Sequence, residues 1–171
     1  MGPANCAGMT APILTRFLAD PTATDALARA IAPLVGAGDA ILLHGPVGAG
    51  KTAFARALIG ALQRAANLDP EDVPSPTFTL VQTYPTGPFE TWHADLYRLS
   101  GPDAVVELGL DEAFGTALCL IEWPDRLGAD RPARAIDLTL TPTPDDGRDL
   151  RIDGPDDILA RLAPAFAKAP T

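Results

Sequence analysis

Residues 45–52 read Gly-Pro-Val-Gly-Ala-Gly-Lys-Thr, a full match to the pattern G-x-x-x-x-G-K-S/T, directly after the apolar run Ile41-Leu42-Leu43-His44. No other stretch restricts the fold as tightly. Glycines at 45, 48 and 50 let successive backbone N–H groups turn toward one anion, and a helix beginning at Lys51 aims its positive end at the same point. Such a loop needs a buried strand before it and a helix after it. Both are legible, because Ala53-Phe54-Ala55-Arg56-Ala57-Leu58-Ile59 continues in strong helix formers. The pattern predicts a site for ATP and Mg²⁺. Gly45, Val47, Gly48, Ala49, Gly50 and Ala53 surround the phosphates, Lys51 reaches the β- and γ-phosphates, and the Thr52 hydroxyl binds the cation. Only Lys51 and Lys168 are lysines, against eleven arginines. A compact ammonium fits between phosphate oxygens where a planar guanidinium does not.

The 171 residues are enough for one domain with a sizeable core, and 47% hydrophobic content without an apolar run near twenty residues implies a soluble protein with no membrane span. No basic segment followed by an apolar stretch opens the chain, so no export signal is expected and the compartment reads as cytoplasmic. Cys6 lies in a loose leader and Cys119 in an apolar run, which is no disulfide or metal framework; Cys119 reads as a buried, reduced thiol. The net charge of −9 disfavours a surface that wraps nucleic acid, so any nucleic acid would be held by a partner.

Along the chain, residues 1–12 read as a leader, 13–166 as one domain and 167–171 as a tail. A strand is expected over 13–18. A helix follows from Pro21, capped by Asp20 and kinked or shortened at Pro33. Strand 40–44 feeds the loop, helix 51–66 follows it, and 67–74 is a loop. Phe78–Tyr84 and Phe89–Asp95 read as an antiparallel hairpin around Pro85-Thr86-Gly87-Pro88. A short helix over about 102–109 stops at Gly109, Ala117–Glu122 is a strand, and 135–141 with 148–153 forms a second hairpin before a closing helix over 155–166. These elements predict an α/β, three-layer fold of the P-loop NTPase kind, with a mixed sheet and inserted β-hairpins.

A phosphate loop alone does not make an enzyme. Hydrolysis also requires an acid near the metal and a group that orients water. Glu122 ends the apolar run Leu118–Ile121, and a carboxylate at the C-terminal end of a parallel strand faces the phosphate crevice. Asp95 ends the second hairpin strand and is the other candidate for water or metal, although an Asp that caps the next turn is the plain alternative. His93, two residues earlier, shares its face and reads as a packed or hydrogen-bonded histidine. In Ser75-Pro76-Thr77-Phe78-Thr79, Thr77 and Thr79 are candidate sensors of the γ-phosphate, against ordinary turn material. Arg98 is read as the partner of a nearby acid, and Trp123 as packing over the crevice.

Taken in order, GPVGAGKT, SPTFTLV, HADLYRL and IEWPDRL resemble the TsaE family, also called YjeE, over roughly residues 20–128. The resemblance implies a cytosolic Mg-dependent ATPase, slow alone, that works with TsaD and TsaB in threonylcarbamoyladenosine modification of tRNA and meets the tRNA only through those partners. It also implies catalytic roles for Lys51, Asp95 and Glu122, metal binding by Thr52, Glu122 and Asp95, and nucleotide contacts at Thr77 and Thr79. One position departs: the family usually carries Asp where this chain has Pro46. That side chain is expected to point away from the phosphates, so ATP binding should survive. Two other readings stay open. A small-molecule kinase would use Arg126, Arg131 and Arg134 in a lid, and a nucleotide-gated interaction module would turn over negligibly.

Overall fold

The two most continuously apolar strands, β2 (Ala40–His44) and β5 (Leu118–Glu122), are buried on both faces and lie side by side in parallel. Covered strands of this kind sit at the centre of a parallel sheet. The computed structural model describes residues 13–101 and 103–167. Around the central pair a seven-stranded mixed sheet is completed by β1 (Leu14–Leu18), β3 (Val81–Pro85), β4 (Glu90–Asp95), β6 (Ile136–Pro142) and β7 (Arg148–Asp153), in the order β1-β7-β6-β2-β5-β4-β3. Strands β6, β2, β5 and β4 run parallel; β1, β7 and β3 are antiparallel to their neighbours. The expected mixed sheet with two hairpins is therefore present.

Helices cover both faces. On one face α1 (Pro21–Ile31), α2 (Lys51–Ala65) and α5 (Asp156–Ala167) place Leu27, Phe54, Leu58 and Leu162 in one core with Ile41, Leu43, Leu120 and Ile152. Phe54 is fully buried, and truncating it to Ala would cost about 3–5 kcal/mol. On the other face α3 (Asp103–Glu107), α4 (Leu110–Thr116) and a 3₁₀ segment over 124–130 pack Val105, Leu110 and Leu127 on Leu42, Cys119 and Ile121. This second layer does not extend over β6 and β7, whose residues alternate buried and exposed, as half-covered strands do.

Local signals explain most boundaries. Asp20 caps α1 by accepting the Ala23 N–H at 2.9 Å, and Pro33 confines Ala32–Leu34 to a 3₁₀ turn. Three details differ from the sequence reading. β3 begins at Val81 rather than Phe78, because Leu80 takes a φ of 65° and its N–H bonds the Pro76 carbonyl at 2.7 Å, so 76–80 form a turn. The helix expected over 102–109 ends at Glu107. Gly109, with a φ of 74°, then starts the unforeseen α4, of which only Leu110 and Ala113 are buried, too few to give a readable period. The 1–12 leader and residues 168–171 of the tail lie outside the described residues. No helix among those described is long and apolar enough to cross a membrane.

Candidate functional site: the phosphate loop and two carboxylates

At the C-terminal end of β2 the chain turns through 45–50 into α2. Gly45 is required sterically, since a Cβ there would meet the Leu140 carbonyl oxygen at 2.6 Å and the Ala49 Cβ at 2.9 Å. Gly50, at a φ of 104°, occupies the left-handed region at the N-cap of α2, where a side chain would be strained. The loop thereby holds its last N–H groups and the start of a fifteen-residue helix toward one point.

Lys51 is nearly buried. Its Nζ donates to the carbonyls of Gly45 at 2.6 Å and Pro46 at 3.0 Å and stands 4.1 Å from the centre of the Trp123 ring. Burial lowers its pKa, against the opposing attraction of Glu122 and then Asp95. Pro46 is exposed and contributes its carbonyl, so its ring occupies no part of the crevice lining. Trp123 reaches over the ammonium because it adopts a φ of 57°, uncommon for a bulky residue, and its ring also packs on Tyr97 at 4.9 Å between centroids.

The parallel register of β4 and β5 sets Asp95 directly beside Glu122. Glu122, 3% exposed, accepts at Oε1 from the Thr52 hydroxyl at 2.8 Å and lies 2.8 Å from His93 Nε2. Asp95, 4% exposed, accepts from the Thr77 hydroxyl at 3.1 Å and the Tyr97 N–H at 2.9 Å. A crevice of about 420 Å³ opens above them, lined by Val47–Ala53 on one side and by Thr77, Asp95, Glu122 and Trp123 on the other. Buried carboxylates this close carry a large cost unless hydrogen bonds and a cation offset it. Lys51 is the cation within the fold.

Of the residues singled out in the sequence, Lys51, Thr52, Thr77, Asp95 and Glu122 meet in this crevice together with Val47, Gly48, Ala49, Gly50 and Ala53. Gly45 lies beneath it as the acceptor for Lys51. Thr79 is exposed outside the lining and accepts from Gln82 at 3.3 Å. Among the described residues no acid pairs with Arg98; its guanidinium lies 4.6 Å from the centre of the Phe78 ring. Cys119 is fully buried, and burial pushes its thiol up to about 12, which leaves it inert.

Ser75, whose hydroxyl belongs to the Ser-Pro-Thr segment singled out in the sequence, also lines the crevice and bonds Thr77 at 2.7 Å. Two contributors were missed. Tyr97 lines the crevice and packs on Trp123. Arg148 braces the loop from β7 by donating to the carbonyls of Ala49 at 2.9 Å and Gly48 at 3.2 Å, about a hundred residues away along the chain. Nothing in its local sequence marks it.

The family model described as threonylcarbamoyl adenosine biosynthesis protein TsaE matches residues 18–150. The chain belongs to the TsaE family. Similar relatives named tRNA threonylcarbamoyladenosine biosynthesis protein TsaE come from Rickettsia bellii, 38% identical over 73% of this chain and 84% of that one, and from Bacillus subtilis, 34% identical over 77% and 79%. A Rickettsia felis relative of the same name is 42% identical over 60% of this chain and 57% of its own length. The crystal structure of Bacillus subtilis YdiB superposes with a TM-score of 0.72 at 25% identity, covering 89% of this chain and 95% of that chain. The TsaE match extends beyond the 20–128 of the motif resemblance, reaching the end of β1 and into β7, and so takes in Arg148.

Proposed function

We propose that this TsaE-family chain is the ATP-binding and ATP-hydrolysing subunit of tRNA threonylcarbamoyladenosine biosynthesis, acting in the cytoplasm with TsaD and TsaB, which would hold the tRNA. The observation that carries the reading is the convergence of the phosphate loop, Lys51, the Thr52–Glu122 bond and Asp95 on one crevice. The backbone N–H groups and Lys51 bind and orient the phosphates. Thr52, Glu122 and Asp95 present oxygen donors suited to Mg²⁺, and a hydroxyl that gives its proton to Glu122 keeps its lone pairs for a cation. Among the described residues no group of three or more His, Cys, Asp and Glu could hold a metal by itself. The shell of a Mg²⁺ ion here would be completed by substrate phosphates and water. Bound there, Mg²⁺ would neutralise charge on the phosphate oxygens.

Asp95, at the crevice wall, accepts a proton from or orients the attacking water. Thr77, bonded to Asp95, ties the 75–80 turn to the same point and so can report nucleotide state to a partner. Two of the three arginines that a kinase lid would draw on are engaged elsewhere on the surface, which favours the ATPase reading over the kinase one. Arg131 is bound to Asp137 and Arg134 to Asp157, and among the described residues no arginine lines the crevice. The test is ATP hydrolysis by the purified chain with and without TsaD and TsaB, with Lys51→Ala as control. Slow turnover that rises with the partners and disappears in the variant is expected. Turnover indifferent to both the partners and Lys51→Ala would overturn the reading.

A further inference from the structure

His93 is fully buried beside the site, yet none of the roles above uses it. Its Nε2 lies 2.8 Å from Glu122 Oε1, the same oxygen that accepts the Thr52 hydroxyl. A carboxylate oxygen only accepts, so the imidazole proton resides on Nε2. The other ring nitrogen, Nδ1, is buried with no hydrogen-bond partner among the described residues, so nothing else in the fold uses the polarity of this side chain. An imidazole retained in an apolar layer for one bond indicates that the bond has a purpose. The main chain of His93 is fixed in the middle of the sheet, paired to Gln82 on one side and Leu120 on the other.

We infer that His93 is a positioning residue for the nucleotide site: through Nε2–H it fixes Glu122 Oε1 against the Thr52 hydroxyl, so that hydroxyl and carboxylate are already oriented when a divalent cation arrives with the nucleotide. Glu122 is gripped from two directions, by the first turn of α2 and by the middle of β4. Without the grip from β4, the carboxylate is left with a single side-chain donor and can rotate away from Thr52. Outer partners of this type typically change metal affinity by about 10- to 100-fold. The inference rests on the ATP and Mg²⁺ reading above.

The test compares ADP affinity in EDTA with ADP affinity across a Mg²⁺ titration, by equilibrium binding, for the wild-type chain, His93→Leu and His93→Gln, each with its melting temperature. Leu removes the donor, whereas the Gln amide can return an N–H near the same point. We expect affinity in EDTA to stay within about threefold, the Mg²⁺-dependent gain to fall about 10-fold or more in His93→Leu, and a substantial part of it to return in His93→Gln. An unchanged Mg²⁺ gain in His93→Leu overturns the inference alone. Equal losses with and without Mg²⁺ in both variants, following the melting temperature, also overturn it and leave His93 a packing residue. A wild-type chain that binds ADP with no Mg²⁺ dependence overturns the Mg²⁺ reading and this inference with it.

Discussion

Glu122 and Asp95 end neighbouring parallel strands, face each other in register and are almost equally buried, yet they are held by different parts of the molecule. Glu122 takes its bonds from a helix and a strand, through Thr52 and His93. Asp95 takes its bonds from two connecting segments, through the Thr77 hydroxyl and the Tyr97 N–H. The first carboxylate is fixed by regular elements that open only with the core, and the second is tied to turns that can move at lower free-energy cost. The same place in a sheet thus supports one carboxylate held by regular elements and another held by turns, according to which elements supply the donors.

Removing Glu122 should give the largest effect. Glu122→Ala leaves the half-buried Thr52 and the buried His93 donors without their acceptor and is expected to cost about 1–3 kcal/mol in urea unfolding while removing the Mg²⁺-dependent gain in ADP affinity. If stability and Mg²⁺ dependence both stay at the wild-type level, the fixed role fails. Asp95→Asn keeps the shape and the Tyr97 bond but removes the base. Single-turnover ATP hydrolysis should fall about 100-fold with ADP affinity in EDTA nearly unchanged. Hydrolysis that stays at the wild-type rate would erase the contrast between the two acids.

Thr77→Ala removes the hydroxyl bond to Asp95 together with the exposed one to Ser75. Its expected cost is about 0.5–1.5 kcal/mol, felt as faster hydrogen exchange over 75–80 with α2 unaffected. Exchange that speeds up equally in α2 would contradict the distinction between loop-held and core-held acids.

The smallest effect concerns a third sheet carboxylate, Asp137 on β6. Burial raises its pKa, but the bonds from Arg131 and His44, at 3.0 and 2.6 Å to Oδ1, outweigh this and hold it below the usual carboxylate value. A depressed folded value means the contribution is present above the unfolded pKa of about 4 and lost as pH falls through the lowered value. Asp137→Asn should therefore flatten part of the decline in stability below about pH 4, measured by urea unfolding at successive pH values. A decline as steep as that of the wild type would show that these bonds add nothing to folding.

The sequence was most legible where local chemistry left no alternative. The Gly45–Thr52 loop, the capped start of α1 and the fully apolar β2 and β5 follow from φ requirements, capping and two-sided burial, all of which act within a few residues. It was least legible where a bond spans the chain. Arg148 and the loop carbonyls it holds are joined only because β7 returns beside β6, and α4 exists because Leu110 and Ala113 find a second core layer to pack against.

The sequence by itself determined that this chain has a phosphate loop between a buried strand and a helix, and it narrowed the acids to Asp95 and Glu122. Tertiary structure alone decided that these acids stand side by side, that Thr52 and His93 share one oxygen of Glu122, and that Thr77 rather than Thr79 enters the crevice. The reason is physical: conformational preference is encoded residue by residue, whereas strand register and side-chain partnership are set when separate segments bury their surfaces together.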